Sequence, residues 1–115
     1  MKLSIFKEFR FSAAHHLCIE GHRCSSVHGH NYKVRIEVRG ECDENGMIMD
    51  FGKIKEIVQP LISELDHTDL NEVMPITTSE GIAQWFAGKL DGKLEGLSRI
   101  EIRETETCGA ILDLP

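Results

Sequence analysis

Hydrophobic and polar positions alternate in two stretches of the first forty residues. Over residues 2–11, Leu3, Ile5, Phe9 and Phe11 share odd parity, with Lys7 the exception. Over residues 31–39, Tyr32, Val34, Ile36 and Val38 alternate with Lys33, Arg35, Glu37 and Arg39. A period of two, with one apolar and one charged face, marks a half-buried strand. Residues 16–27 form the loop between these strands, and an Asn-Gly turn signal lies within Glu41–Gly46. The period then changes. Phe51, Ile54, Ile57, Val58, Leu61, Ile62 and Leu65 follow helical spacing behind Asp50, a good N-cap. Pro60 inside this pattern is expected to kink or divide the helix, because it removes an amide donor and crowds the preceding turn. The helix ends near Asp66-His67. Thr78 or Ser79 caps a second helix with Ile82, Ala83, Phe86 and Leu90 as its buried stripe, and Gly92 and Gly96 punctuate its exit. Alternation returns at Arg99–Arg103, with Ile100 and Ile102 inward, and a last short strand falls at Ala110–Leu114. The order β-β-α-α-β-β predicts an α+β fold, a four-stranded antiparallel sheet with two helices on one face. Exposed sheet edges are more safely paired with other subunits than left open.

Length and charge narrow the function classes. The 115 residues suit one domain spanning 1–115. No apolar run approaches the ~18 residues of a membrane span, and no signal peptide opens the chain. The four cysteines, Cys18, Cys24, Cys42 and Cys108, are therefore expected to be reduced thiols in a cytoplasmic protein with no membrane partner. A net charge of -6 argues against a broad nucleic-acid surface. A small anionic ligand would need local positive groups or a metal to overcome that field.

The histidines carry the chemistry. His15, His16, His22, His28 and His30 lie within sixteen residues. Residues two apart on an extended chain point the same way. His28 and His30 thus share the buried parity of Tyr32, Val34 and Ile36, and His15 shares that of Phe9, Phe11 and Ala13. If the two strands pair as a hairpin, three imidazoles converge. Three neutral nitrogens with an open fourth position describe a catalytic zinc site. Between His15 and His16, parity favours His15. The rival arrangement is a closed structural zinc with Cys24 as fourth ligand. Against it, C-x2-C pairs are missing, and a domain with this much core folds without a metal.

The motifs Phe11-Ser12-Ala13-Ala14-His15 and Cys24-x3-His28-Gly29-His30-Asn31-Tyr32 resemble the 6-pyruvoyltetrahydropterin synthase family, which includes the bacterial 6-carboxytetrahydropterin synthases of queuosine biosynthesis. The resemblance continues through Met49-Asp50-Phe51, Leu65-Asp66-His67, Leu70-Asn71, Thr78-Ser79-Glu80 and Glu104-Thr105. It implies the tunnelling fold, with sheets joined into a barrel, a homohexamer built as a dimer of trimers, and active sites between subunits. It implies Zn2+ on His15, His28 and His30, acid/base chemistry by Cys24 with Asp66 and His67, and a pterin anchored by Glu104.

Each assignment has a plainer counterpart. Cys24 could be inert like the other thiols, but a nearby cation lowers a thiol pKa. His67 could simply cap a helix C-terminus, which would leave Asp66 a surface carboxylate. Glu104 follows Ile100 and Ile102 in parity, where a carboxylate needs a partner; the amino-pyrimidinone edge of a pterin offers two parallel N–H donors. Its distance in sequence from the histidines predicts no part in metal binding. Thr78 and Ser79 serve as helix caps, as substrate contacts, or as both. Two positions depart from the family pattern: Thr77 stands where many bacterial relatives have Pro, and His16 where Arg is common.

The substrate implied is 7,8-dihydroneopterin triphosphate. The three-residue gap from Cys24 to His28 resembles the carboxy enzymes, which release triphosphate and acetaldehyde. The pyruvoyl route and a non-catalytic zinc or pterin module are the alternatives. Arg23, Lys33 and Lys53 are candidates for the triphosphate contacts.

Overall fold

A computed structural model describes residues 1–115. The elements follow the expected order: β1 (Leu3–His15), β2 (His28–Gly40), α1 (Phe51–Leu65), α2 (Ser79–Leu90), β3 (Leu97–Arg103) and β4 (Gly109–Asp113). The strands form one antiparallel sheet in the order β1-β2-β3-β4. Both helices cover the face that carries Phe9, Phe11, Tyr32, Val34, Ile36, Ile100 and Ile102, all buried. Ile54, Val58, Ile62 and Leu65 of α1, and Ile82, Ala83, Phe86 and Leu90 of α2, complete that core. No helix is long and apolar enough to cross a membrane.

Two local expectations are corrected. β1 runs to His15, four residues beyond the predicted end, and β2 begins at His28. Ser12, Ala13 and Ala14 are too small and mixed to show a hydropathy period, yet their burial still alternates. The helix α1 is not divided at Pro60 but continues to Leu65. Pro60 is exposed, so the carbonyl it leaves without a donor can be met by water. Both helix starts are capped as their residue types suggest. Asp50 accepts from the Gly52 amide at 2.6 Å, and Thr78 Oγ1 accepts from the Gly81 amide at 3.1 Å.

The register decides where chemistry occurs. β1 and β2 pair along their whole length, ending at His15↔His28, whereas β3 pairs with β2 only over Lys33–Val38. The first five residues of β2 therefore overhang the sheet with β1 as their only strand neighbour. The segment 66–69 docks on the free edge of β1 at this end. The His67 amide donates to Ser12 O at 2.6 Å, the Ser12 amide donates to Asp66 Oδ1 at 2.9 Å, and the Ala14 amide donates to Thr68 O at 2.9 Å. On the other side, the chain leaving β3 turns through Glu104–Cys108, closed by the Glu104 amide donating to Cys108 O at 2.9 Å. Gly109 makes that return possible, because a Cβ there would run into the Ile102 carbonyl.

A candidate metal centre at the hairpin end

His15, His28 and His30 converge at the overhanging end of the hairpin. Ala13 pairs with His30 and His15 with His28, so the period-two geometry sends all three rings to the core side. The ring centroids lie 4.5 Å (His15–His28), 5.1 Å (His15–His30) and 4.9 Å (His28–His30) apart, at steep interplanar angles. Glu104 completes the group. One nitrogen from each histidine and one Glu104 oxygen all lie within 4.8 Å of one another, a set that could hold a metal ion.

Glu104 Oε1 is 3.2 Å from His15 Nε2 and 3.0 Å from His30 Nε2. The expectation that this residue stands apart from the histidines is overturned. Parity placed it correctly on the buried face, but the overhang of β2 brings that face against His30 just past the end of β3. Neither contact has hydrogen-bond alignment, and both Nε2 atoms are buried without a hydrogen-bond partner. Buried polar atoms are rarely left in this state, and an ion among them would satisfy both.

The tautomers prepare the nitrogens for such an ion. His15 Nδ1 lies 2.7 Å from the Thr77 carbonyl, and His28 Nδ1 2.8 Å from the Ser26 carbonyl. A carbonyl only accepts, so each Nδ1 carries a proton, and in the neutral ring each Nε2 is the nitrogen left to present a lone pair. Burial is the main influence on His30 and pushes its pKa below the ordinary imidazole value; the neighbouring His15 and His28 add to this, and Glu104 opposes it. Metal binding needs the neutral form favoured here. Tyr32 lies beneath the rings, 5.5 Å from His30 and 6.0 Å from His15, stacked on Phe11 at 4.9 Å. Burial, then the charge of Glu104, raises its hydroxyl pKa, so it stays an O–H donor.

His16 lies outside the cluster that gathers His15, His28 and His30. Asn71 clamps its backbone from both sides: the His16 amide donates to Asn71 Oδ1 at 2.9 Å, and Asn71 Nδ2 donates to His16 O at 3.1 Å. Thr77 Oγ1 also donates to His16 O, at 3.2 Å. Asn71 and Thr77 are positioning residues that residue type does not reveal. The Thr77 contact to His15 is made by a carbonyl, which a proline would offer equally.

An open cleft of about 810 Å³ lies over this end of the sheet, lined in part by Ser12, His30, Asn31, His67, Asp69 and Glu104. His67 follows the end of α1 with φ 60, a left-handed conformation uncommon outside glycine. Its Nδ1 is 3.0 Å from Asp66 Oδ2. The Ser12 amide is the main influence holding the Asp66 carboxyl below the usual carboxylate range, with His67 assisting. Asp66 is therefore ionised at neutral pH and accepts from His67 Nδ1–H, leaving His67 Nε2 as the free ring nitrogen. Side-chain exposure of 82% leaves that ring in water in the single chain.

The remaining predicted residues are not gathered here. Cys24 sits on a short 3-10 turn, Arg23–Ser25, partly buried and outside the cleft lining. Thr78 caps α2 and borders a separate hollow with His16, Cys18 and Asn71, while Ser79 is nearly buried as the first residue of α2.

A sequence profile described as 6-pyruvoyl tetrahydropterin synthase matches residues 4–114. A protein of Synechocystis named 6-carboxy-5,6,7,8-tetrahydropterin synthase is 38% identical, with 92% of this chain and 89% of that protein covered. One of Pyrococcus furiosus named dihydroneopterin monophosphate aldolase is 35% identical, covering 98% and 99%. Among solved structures, the 6-pyruvoyl tetrahydropterin synthase of Caenorhabditis elegans superimposes with a TM-score of 0.89 at 26% identity, covering 100% of this chain and 97% of its own. With its profile matched almost end to end and relatives at these identities over nearly all its length, the chain belongs to the 6-pyruvoyl tetrahydropterin synthase family of lyases.

Proposed function

We propose that this protein, residues 1–115 as a single pterin synthase-like domain, binds Zn2+ on His15, His28 and His30. In this reading it converts 7,8-dihydroneopterin triphosphate to 6-carboxy-5,6,7,8-tetrahydropterin, releasing triphosphate and acetaldehyde, as a cytoplasmic step of queuosine biosynthesis. The observation that carries the reading is the pair of buried, unpartnered Nε2 atoms on two of three converging imidazoles. That donor set suits zinc. Kinship to the Synechocystis protein supports the carboxy product.

Bound zinc would supply Lewis acidity toward the hydroxyls of the substrate side chain. The chain's own residues do the rest. Asp66 fixes the His67 tautomer, so His67 Nε2 takes or gives a proton at the side chain while the imidazolium is stabilised by the carboxylate beside it. Cys24 is the second acid/base group. Glu104 accepts from the pterin ring N–H and amino group. Because His67 is exposed and Cys24 lies outside the cleft, one chain does not enclose the reaction. A homohexamer with sheets joined into barrels would enclose it and would pair the open edges of β1 and β4; Thr78 and Ser79 would then meet substrate across the subunit boundary.

The test is incubation of the zinc-loaded protein with dihydroneopterin triphosphate and identification of the products by mass spectrometry. The carboxytetrahydropterin and acetaldehyde are expected. A pyruvoyl product, or no product, overturns the assignment. The near-complete alignment with the Pyrococcus furiosus protein favours a second reading, aldol cleavage of dihydroneopterin monophosphate. A hydroxymethyl pterin from the monophosphate, with the triphosphate left intact, would establish that reading instead.

A further inference from the structure

Tyr32 is the chain's only tyrosine and is 1% exposed. Its hydroxyl is buried without a hydrogen-bond partner. A phenylalanine would fill the same place in the core, so the oxygen needs a reason, and a buried tyrosine O–H usually finds an acceptor. The ring is not free to swing in search of one. It stacks on Phe11, its neighbour across β1, at an interplanar angle of 13°. His15 and His30 stand edge-on to it, at 86° and 77°.

Register supplies the remaining side. β2 and β3 pair up to Lys33↔Arg103, so the residue opposite Tyr32 is Glu104, one step past the end of β3. Phe11, Tyr32 and Glu104 thus form one row on the core face. Residues opposite each other in such a row have Cβ atoms about 5 Å apart. Burial, then the charge of Glu104, raises the pKa of the Tyr32 hydroxyl, which marks the two side chains as neighbours.

Three unpartnered atoms therefore meet around Glu104: His15 Nε2, His30 Nε2 and the Tyr32 hydroxyl. An ion accepts lone pairs, so it satisfies the two nitrogens and leaves the O–H. Nitrogens that face an ion cannot also accept from Tyr32, and the Glu104 carboxylate is the acceptor that remains. A carboxylate offers about four acceptor sites. Two serve the parallel N–H donors of a pterin, and another receives Tyr32.

We propose that Tyr32 is a positioning residue whose hydroxyl donates to the Glu104 carboxylate in the metal-loaded protein and fixes its direction toward the cleft. This role rests on the reading of Glu104 as the pterin anchor and extends it to what holds that anchor in place. Glu104 lies beyond the last strand pair and is 28% exposed, so packing alone does not fix its rotamer. A charge-assisted bond from a rigid ring does so, and a side chain held in advance loses less freedom when a ligand binds.

Tyr32→Phe removes the oxygen and keeps the stacked ring. Calorimetric titration of the zinc-loaded proteins with sepiapterin should show affinity about tenfold lower in Tyr32→Phe than in the wild type. Zinc affinity should be unchanged, because the carboxylate and its charge remain. In a Glu104→Ala background Tyr32→Phe should have no further effect on sepiapterin affinity, since no acceptor is left. An equal loss in both backgrounds would mark a merely structural hydroxyl and overturn the role, as would equal affinity in the wild type and Tyr32→Phe. The bond also has a readout that needs no pterin. With one tyrosine in the chain, the tyrosine Fermi doublet of the Raman spectrum reports this hydroxyl alone. The zinc-loaded wild type should show the pattern of a strong donor, and zinc-loaded Glu104→Ala should not. The same pattern in both would overturn the bond. If the wild type binds no sepiapterin, the pterin reading fails, and a donor pattern lost in Glu104→Ala would still uphold Tyr32 as the group that holds the carboxylate.

Discussion

Replacing Glu104 with Gln removes one negative charge from the metal centre while nearly preserving shape. The ligand atoms all lie within 4.8 Å of one another, which limits the separation between this carboxylate and an ion held among them. A unit charge and a divalent ion at that distance attract by about 1.7 kcal/mol even at the dielectric constant of bulk water. Glu104 is 28% exposed, so the screening is substantial and this lower figure is the appropriate one. Zinc affinity should fall about tenfold to twentyfold, within the range usual for groups that support metal ligands. Competition with a chromophoric chelator at neutral pH measures it, and Glu104→Asp, which keeps the charge, should recover part of the loss. The same substitution places an amide donor against a pterin N–H, and a buried mismatch of that kind costs roughly 1–3 kcal/mol. Pterin affinity, read by calorimetry with sepiapterin, should therefore drop about tenfold to a hundredfold. Unchanged zinc affinity would show that the carboxylate does not act on the metal, and unchanged pterin affinity that it is not the anchor.

Other outcomes can be checked directly. The double variant His28→Ala/His30→Ala should lose zinc by elemental analysis and keep its fold, since neither ring belongs to the hydrophobic core; full occupancy would remove the ligand assignment. Cys24→Ala should keep zinc and fold while turnover disappears, whereas loss of zinc would make the thiol a ligand. Asp66 has its pKa depressed in the folded chain, so its contribution to stability is present above the ordinary carboxylate value of 3.8 and is lost as pH falls through the depressed value. Denaturant unfolding of Asp66→Asn should accordingly show a deficit at neutral pH that vanishes in strong acid, and a deficit independent of pH would contradict this. Light scattering should give a hexamer at micromolar concentration, and a stable monomer would refute the closure of edges by assembly.

Periodicity by itself determined the element order, the buried faces and the parity of the histidines. These are local properties: side-chain direction follows from backbone period, and His15, His28 and His30 carry their strand's parity whatever the partner. The helix cap at Asp50 was legible for the same reason, as was a second cap at Thr78 or Ser79, between which the structure chooses Thr78. Pro60 shows the limit of local reading, since its cost depends on which face of α1 meets solvent, and only the packed helix decides that. The extension of β1 through Ser12-Ala13-Ala14 was hidden because small residues carry no hydropathy signal, and it was fixed by the segment 66–69 docking on its edge. The contact of Glu104 with His15 and His30 depended on how far β2 overhangs β3. The Thr77 carbonyl that orients His15 comes from the backbone of a loop 62 residues away. Register between strands and contacts through backbone atoms are set by the whole packed chain, and no side-chain pattern along the sequence encodes them one residue at a time.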